Sequence, residues 1–128
     1  MKSELFIIIL ILAFIGGAIE FLSSRIETST LDQNNVSIVE GKQIIEINAK
    51  GGYAPRTSNA QANIPTTLKI STLGTFDCSS SLVIPSIGYR ANLPPSGETL
   101  VELPPQAQGS TLRGVCGMGM YSFSIGFN

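Results

Sequence analysis

Residues 116–120 read Cys-Gly-Met-Gly-Met, in a chain of 128 residues that contains no histidine. One thiol and two thioethers stand at alternate positions with only glycine between them. Thiolate and thioether are soft donors, and softness selects Cu(I) over harder ions. Imidazole, the usual ligand of Cu(II) and of catalytic zinc, is not on offer. A metal held here has to accept sulfur alone, or sulfur with backbone oxygen, and Cu(I) or its mimic Ag(I) fits that description best. Cys78 adds a second thiol, so Cys78, Cys116, Met118 and Met120 are the candidate ligands. A thiolate can bridge two Cu(I) ions, so the set suits one ion or two.

Two other readings use the same residues. In an oxidising compartment, a lone pair of cysteines is most simply a structural disulfide, with the methionines as pliable core filler. Glycine is disfavoured within strands, however, and a Cys-Gly-Met-Gly-Met run wastes positions that a core would use. The spacing therefore favours ligands over a Cys78–Cys116 staple. An electron-transfer copper centre needs two histidines beside the cysteine, which this chain lacks. Enzyme readings fare worse. Ser79, Ser80 and Ser81 have no histidine to act as base. Asp77 has no evident carboxylate partner for acid–base work, and reads as the cap of a turn.

The elements that must position these residues are short strands broken by Gly and Pro. Segments 36–40 and 43–49 flank Gly41-Lys42 and suit a hairpin, with Ile45, Ile47 and Ala49 on one face and Glu46 and Asn48 on the other. Residues 51–55 (Gly-Gly-Tyr-Ala-Pro) break the pattern. In 66–72, Leu68 and Ile70 share a side. Residues 82–84 form a buried-type strand stopped by Pro85, and in 99–103 Val101 and Leu103 lie opposite Leu100 and Glu102. The sulfur motif falls between strands at 111–115 and 121–127, the latter with Tyr121, Phe123, Ile125 and Phe127 alternating with small or polar residues. The motif is thus a loop. A fully extended strand would spread its three sulfur side chains over about 13 Å, so the loop must curl if they share an ion, and Gly117 and Gly119 permit that. Phe76 and Tyr121 are placed to shield the site. No segment after residue 35 has helical apolar spacing, and the set of strands suggests a β-sandwich or barrel.

The first quarter of the chain reads differently. Residues 5–19 are an unbroken run of apolar residues and glycine, and Phe21 and Leu22 extend it past Glu20. As a helix, residues 5–22 would span about 27 Å, enough to cross a bilayer core. A cleaved signal peptide, with Lys2 before the run and Gly16-Gly17-Ala18 as the cleavage site, is the rival; the run is long for one. Either way the remainder is exported. The resulting layout is an anchor at 1–22, a polar linker at 23–35 and a folded domain at 36–128. Net charge is −1, and charged residues are only 13% of the chain, with no basic patch, so nucleic-acid binding is not expected.

The order Gly52-Tyr53-x-Pro55, Asp77-Cys78, Val83-Ile84-Pro85, Leu93-Pro94, Gly97-Glu98, Pro104-Pro105, Gly109 and Cys116-x-Met118-x-Met120 resembles the plastocyanin-like (cupredoxin-like) domains of bacterial copper-handling proteins. In layout it is similar to the membrane-anchored Cu(I) chaperones of the CupA type. The resemblance spans about residues 43–128. It implies an all-β, Greek-key cupredoxin sandwich that binds Cu(I) outside the membrane and buffers it or passes it to an exporter. Cys78, Cys116, Met118 and Met120 match the family's ligands position by position. Such chaperones often carry a further Met or His after the second Met; Tyr121-Ser122-Phe123 stands there in this chain, so the resemblance supplies no ligand beyond Met120.

The expectation is an extracytoplasmic domain on a single-pass anchor in the cell membrane. It would bind Cu(I) for copper buffering, tolerance or transfer to a copper-transporting membrane protein, and it would not be an enzyme. The alternative is a disulfide-stapled β-sandwich interaction module without metal.

Overall fold

Alternation of apolar and polar side chains decides where this chain forms strands. The computed structural model describes residue 4, residues 6–13 and residues 35–128. Its strands are β1 (Val36–Val39), β2 (Lys42–Ala49), β3 (Tyr53–Ala54), β4 (Thr57–Ala60), β5 (Thr66–Thr72), β6 (Ser81–Ile84), β7 (Tyr89–Asn92), β8 (Gly97–Leu103), β9 (Thr111–Cys116) and β10 (Ser122–Phe127). They form two sheets. One runs β1-β2-β5-β8, with β3 added along β2; the other runs β4-β10-β9-β6-β7. The result is an all-β sandwich.

Each sheet turns one face inward, as period two requires. Ile45, Ile47 and Ala49 of β2 are buried, as are Leu68 and Ile70 of β5 and Val101 and Leu103 of β8. Facing them are Leu82 and Ile84 of β6, Leu112 and Cys116 of β9, and Phe123, Ile125 and Phe127 of β10. Many outward positions are polar or charged, though Ile38, Val39 and Leu100 are exposed. Lys69 lies between Glu46 and Glu98 at 3.2 Å from each, a surface ladder across three strands. The β1–β2 hairpin turns through Glu40 and Gly41, both at positive φ, the two-residue geometry that matches strand twist.

Two pairings are parallel, β2 with β5 and β4 with β10. Both need long connections, and these carry the chain between the sheets. Three elements depart from the expected set. The 51–55 break contains strand β3, and β4 and β7 were not anticipated. The latter two are short, and none of the inward side chains of β4 or β7 is a large buried hydrophobic. The chain divides into two units, Met1–Asp32 and Gln33–Asn128. In the first, residues 6–13 are helical, and among the described residues no helix is long and apolar enough to cross a membrane. The rest of the span expected at 5–22, and nearly all of the linker expected at 23–35, lie outside the described residues.

Candidate metal centre

Cys116 is the last residue of β9, and Leu82 of β6 is its cross-strand partner. The strand therefore delivers Cys116 to the inner face, where it is 1% exposed. The chain then turns sharply. Gly119 N–H donates to the Cys116 carbonyl at 2.8 Å, Gly119 takes φ +75°, and Cys116 N–H returns to the Tyr121 carbonyl at 2.9 Å. Gly117 lies tight against β6. Its N–H donates to the Ser81 carbonyl at 2.8 Å, and a Cβ there would stand 2.7 Å from Ser81 Oγ. Met118 and Met120 ride on the resulting turn with exposed side chains. Tyr121 N–H points back to Cys116 Sγ at 3.4 Å, a donor aimed at the sulfur.

Cys78 opens a single 3-10 turn, Cys78–Ser80, that leads into β6. Although the two cysteines lie 38 positions apart in sequence, their Cα atoms are 5.7 Å apart and their sulfurs are joined in a disulfide. The fold therefore brings two of the four proposed donors into direct contact, and it does so as the disulfide that the sequence ranked second. The thiols are not free in this structure. Among the described residues, no three His, Cys, Asp or Glu side chains gather where one ion could sit, so further donors to the cysteine pair would come from methionine or backbone.

The turn carrying Cys78 is held from two sides. Asp77 caps it: its Oδ1 accepts from Ser79 N–H at 3.2 Å and from the Ser79 hydroxyl. From the core side, Tyr53 Oη donates to the Ser79 carbonyl at 3.1 Å. The Tyr53 ring packs edge-on against Phe123, with centroids 5.1 Å apart. Burial first, and the Asp77 charge second, push the Tyr53 hydroxyl up to about 12, so it remains a donor at any ordinary pH. Gly52, at φ +117°, lets the backbone lie against the Tyr121 ring; a Cβ there would be 3.3 Å from it. Gly52 and Tyr53 thus support both halves of the site, a role their place in a strand-breaking segment gave no sign of. Of the two aromatics expected to shield the site, Tyr121 is partly buried, but Phe76 is 83% exposed and projects into solvent instead.

The model of the cupredoxin-like domain matches residues 7–125. This chain belongs to the cupredoxin-like family. Among the solved structures similar to this cupredoxin-like chain are two copper-binding ones. The metal-binding domain of the Cu(I)-exporting P-type ATPase CopA of Streptococcus pneumoniae D39, with Cu(I), is 25% identical. That match covers 73% of this chain and 92% of the other, with a TM-score of 0.66. A copper binding protein solved in its apo form by NMR is 27% identical, covering 73% and 94% of the two chains, also at 0.66. No curated protein matches the chain.

Two predictions arise from the residues that support the candidate site. Tyr53→Phe removes the bond to the Ser79 carbonyl while keeping the ring, and should lower unfolding stability by about 1 kcal/mol. Chemical denaturation of the two proteins measures it, and equal stabilities would refute the bond's role. Asp77 has its carboxyl held below the ordinary range, chiefly by the Ser79 hydroxyl. A depressed carboxylate stabilises the fold above its unfolded pKa and loses that contribution as pH falls through the folded value. The melting-temperature deficit of Asp77→Ala should therefore be largest near neutrality and shrink in acid. A deficit independent of pH would rule out the charged cap.

Proposed function

We propose that this chain is an exported, membrane-anchored Cu(I)-binding protein that buffers copper or hands it to a membrane transporter. Its ligands are the thiolates of Cys78 and Cys116, in reduced form, with the thioethers of Met118 and Met120. One observation carries the reading: two cysteines distant in sequence meet at the base of a turn that bears two exposed methionines. Membership of the cupredoxin-like family and likeness to a Cu(I)-loaded domain support it.

Copper is cargo here. A closed, rigid cage would hold it too well, whereas exposed thioethers can leave one at a time as an incoming thiolate takes their place. The buried Cys116 gives the ion a fixed point, and the Tyr121 N–H moderates charge on its sulfur. Metal binding makes the thiolates the favoured form. The anchor at 1–22 and the linker at 23–35 would keep the domain, 36–128, close to a membrane partner.

The test is titration of the reduced chain with Cu(I) against a chelator of known affinity. Tight binding that Cys116→Ser strongly weakens supports the proposal; no uptake by the reduced wild type refutes it. The disulfide favours a second reading, a stapled interaction module. Closing a loop across 38 residues would contribute about 4 kcal/mol through the unfolded state. That reading requires reduction to lower stability and Cu(I) to restore none of it.

A further inference from the structure

The two cysteines of the disulfide differ in their exposure to solvent. Cys116 is 1% exposed and packs in the core at the end of β9. Cys78 is only partly buried, on the short turn capped by Asp77. A thiolate breaks a disulfide by in-line attack on one sulfur, expelling the other. Attack on Cys116 would have to come through the core. Cys78 is the cysteine of the pair with surface open to solvent, and attack there expels Cys116, toward which the Tyr121 N–H already points at 3.4 Å.

We propose that Cys78 is a thiol–disulfide exchange site and that this exchange gates the metal centre. In the first step, a small thiolate, RS⁻, forms a bond to Cys78 Sγ. The Cys78–Cys116 bond breaks, and its electron pair leaves on Cys116 Sγ. A second thiolate then attacks the sulfur of R in the mixed disulfide, releasing RSSR and freeing Cys78. Two thiols are oxidised to one disulfide while the protein disulfide is reduced to two thiols, so electrons balance. Only the reduced pair offers two thiolates to a soft ion. The exchange stands without copper; the gating step rests on the function proposed above.

The experiment uses the full-length oxidised chain and glutathione as the thiol. Reaction is stopped with acid at early times, free thiols are alkylated, and peptides are analysed by mass spectrometry. Glutathione should be found on Cys78 in excess over Cys116 by about tenfold or more, as access controls the rate. An equal split, an excess on Cys116, or chain isolated without the disulfide would overturn the proposal. Single-cysteine variants give a second measure: Cys78 in Cys116→Ser should react with an aromatic disulfide about tenfold faster than Cys116 in Cys78→Ser. Comparable rates would overturn it as well. A parallel Cu(I) titration separates the two claims. If the reduced chain binds and the oxidised chain binds far more weakly, the gate holds. Equal binding by both removes the gate, and no binding by either removes the copper function while leaving the exchange site to the first measurement.

Discussion

Cys116→Ser should lower the Cu(I) affinity of the reduced chain by about a hundredfold. The figure follows from taking the roughly 10–16 kcal/mol of a four-ligand structural zinc site as the scale and sharing it among the donors, which gives about 3 kcal/mol each. Cys116 should carry that full share. It is buried where water cannot replace the lost donor, and its sulfur is oriented by the Tyr121 N–H. Serine is close in size and offers that N–H a hydroxyl oxygen, so the fold should survive and the loss report ligation. Met120→Leu should cost less, because an exposed neutral thioether is a weaker donor than a thiolate and water can reach its place. The ordering, with Cys116→Ser worse than Met120→Leu and both worse than wild type, is the signature. If serine at 116 left affinity unchanged while thermal stability was preserved, that cysteine would not be a ligand.

Why this site was partly legible from sequence is a matter of local against non-local information. The sulfur spacing is local. Five consecutive residues suffice to mark a soft donor set, and two glycines to mark a loop that curls, as the Cys116–Gly119 turn does. Period two is local as well. The inward sets Ile45/Ile47/Ala49, Leu68/Ile70, Val101/Leu103 and Phe123/Ile125/Phe127 are buried as alternation demands. Strand partners are not local. Nothing in β2 and β5 by themselves says that they run parallel and adjacent, because that choice depends on crossing between sheets.

Short or polar strands escaped for a different reason. β4, Thr57–Ala60, turns only Ser58 and Ala60 inward, and β7 has no buried residue at all. These strands exist because neighbours supply their hydrogen bonds, not because their own side chains demand burial. The same holds for Tyr53. Beside two glycines and a proline it reads as punctuation, yet its ring reaches Phe123 and its hydroxyl the Cys78 turn. Phe76 errs in the opposite direction. Proximity in sequence to Cys78 suggested a shield, but it lies on a loop that leaves the core, and its ring is exposed.

Adding one methyl group at residue 114 should be strongly destabilising. In β9, Gly114 pairs directly with Phe123 of β10, and a Cβ at 114 would stand 2.3 Å from two carbons of the Phe123 ring. No carbon pair tolerates that distance, so the ring or the strand must move. The ring is confined, being 1% exposed with Tyr53 against it. Overpacking a core costs about 1–3 kcal/mol and occasionally more. Here displacement of Phe123 would also unseat Tyr53 and, through its hydroxyl, the turn that carries Cys78. Against a total of roughly 5–15 kcal/mol for a small domain, Gly114→Ala should therefore cost about 3 kcal/mol or more. The proposed copper site should weaken with it. Shrinking the opposing ring supplies the control. Phe123→Leu alone should destabilise by leaving a void, but the pair Gly114→Ala with Phe123→Leu should be more stable than the sum of the two single losses. Denaturant unfolding of the four proteins closes the cycle. Strictly additive losses would mean that Gly114 is needed for its backbone and not for the space that Phe123 occupies.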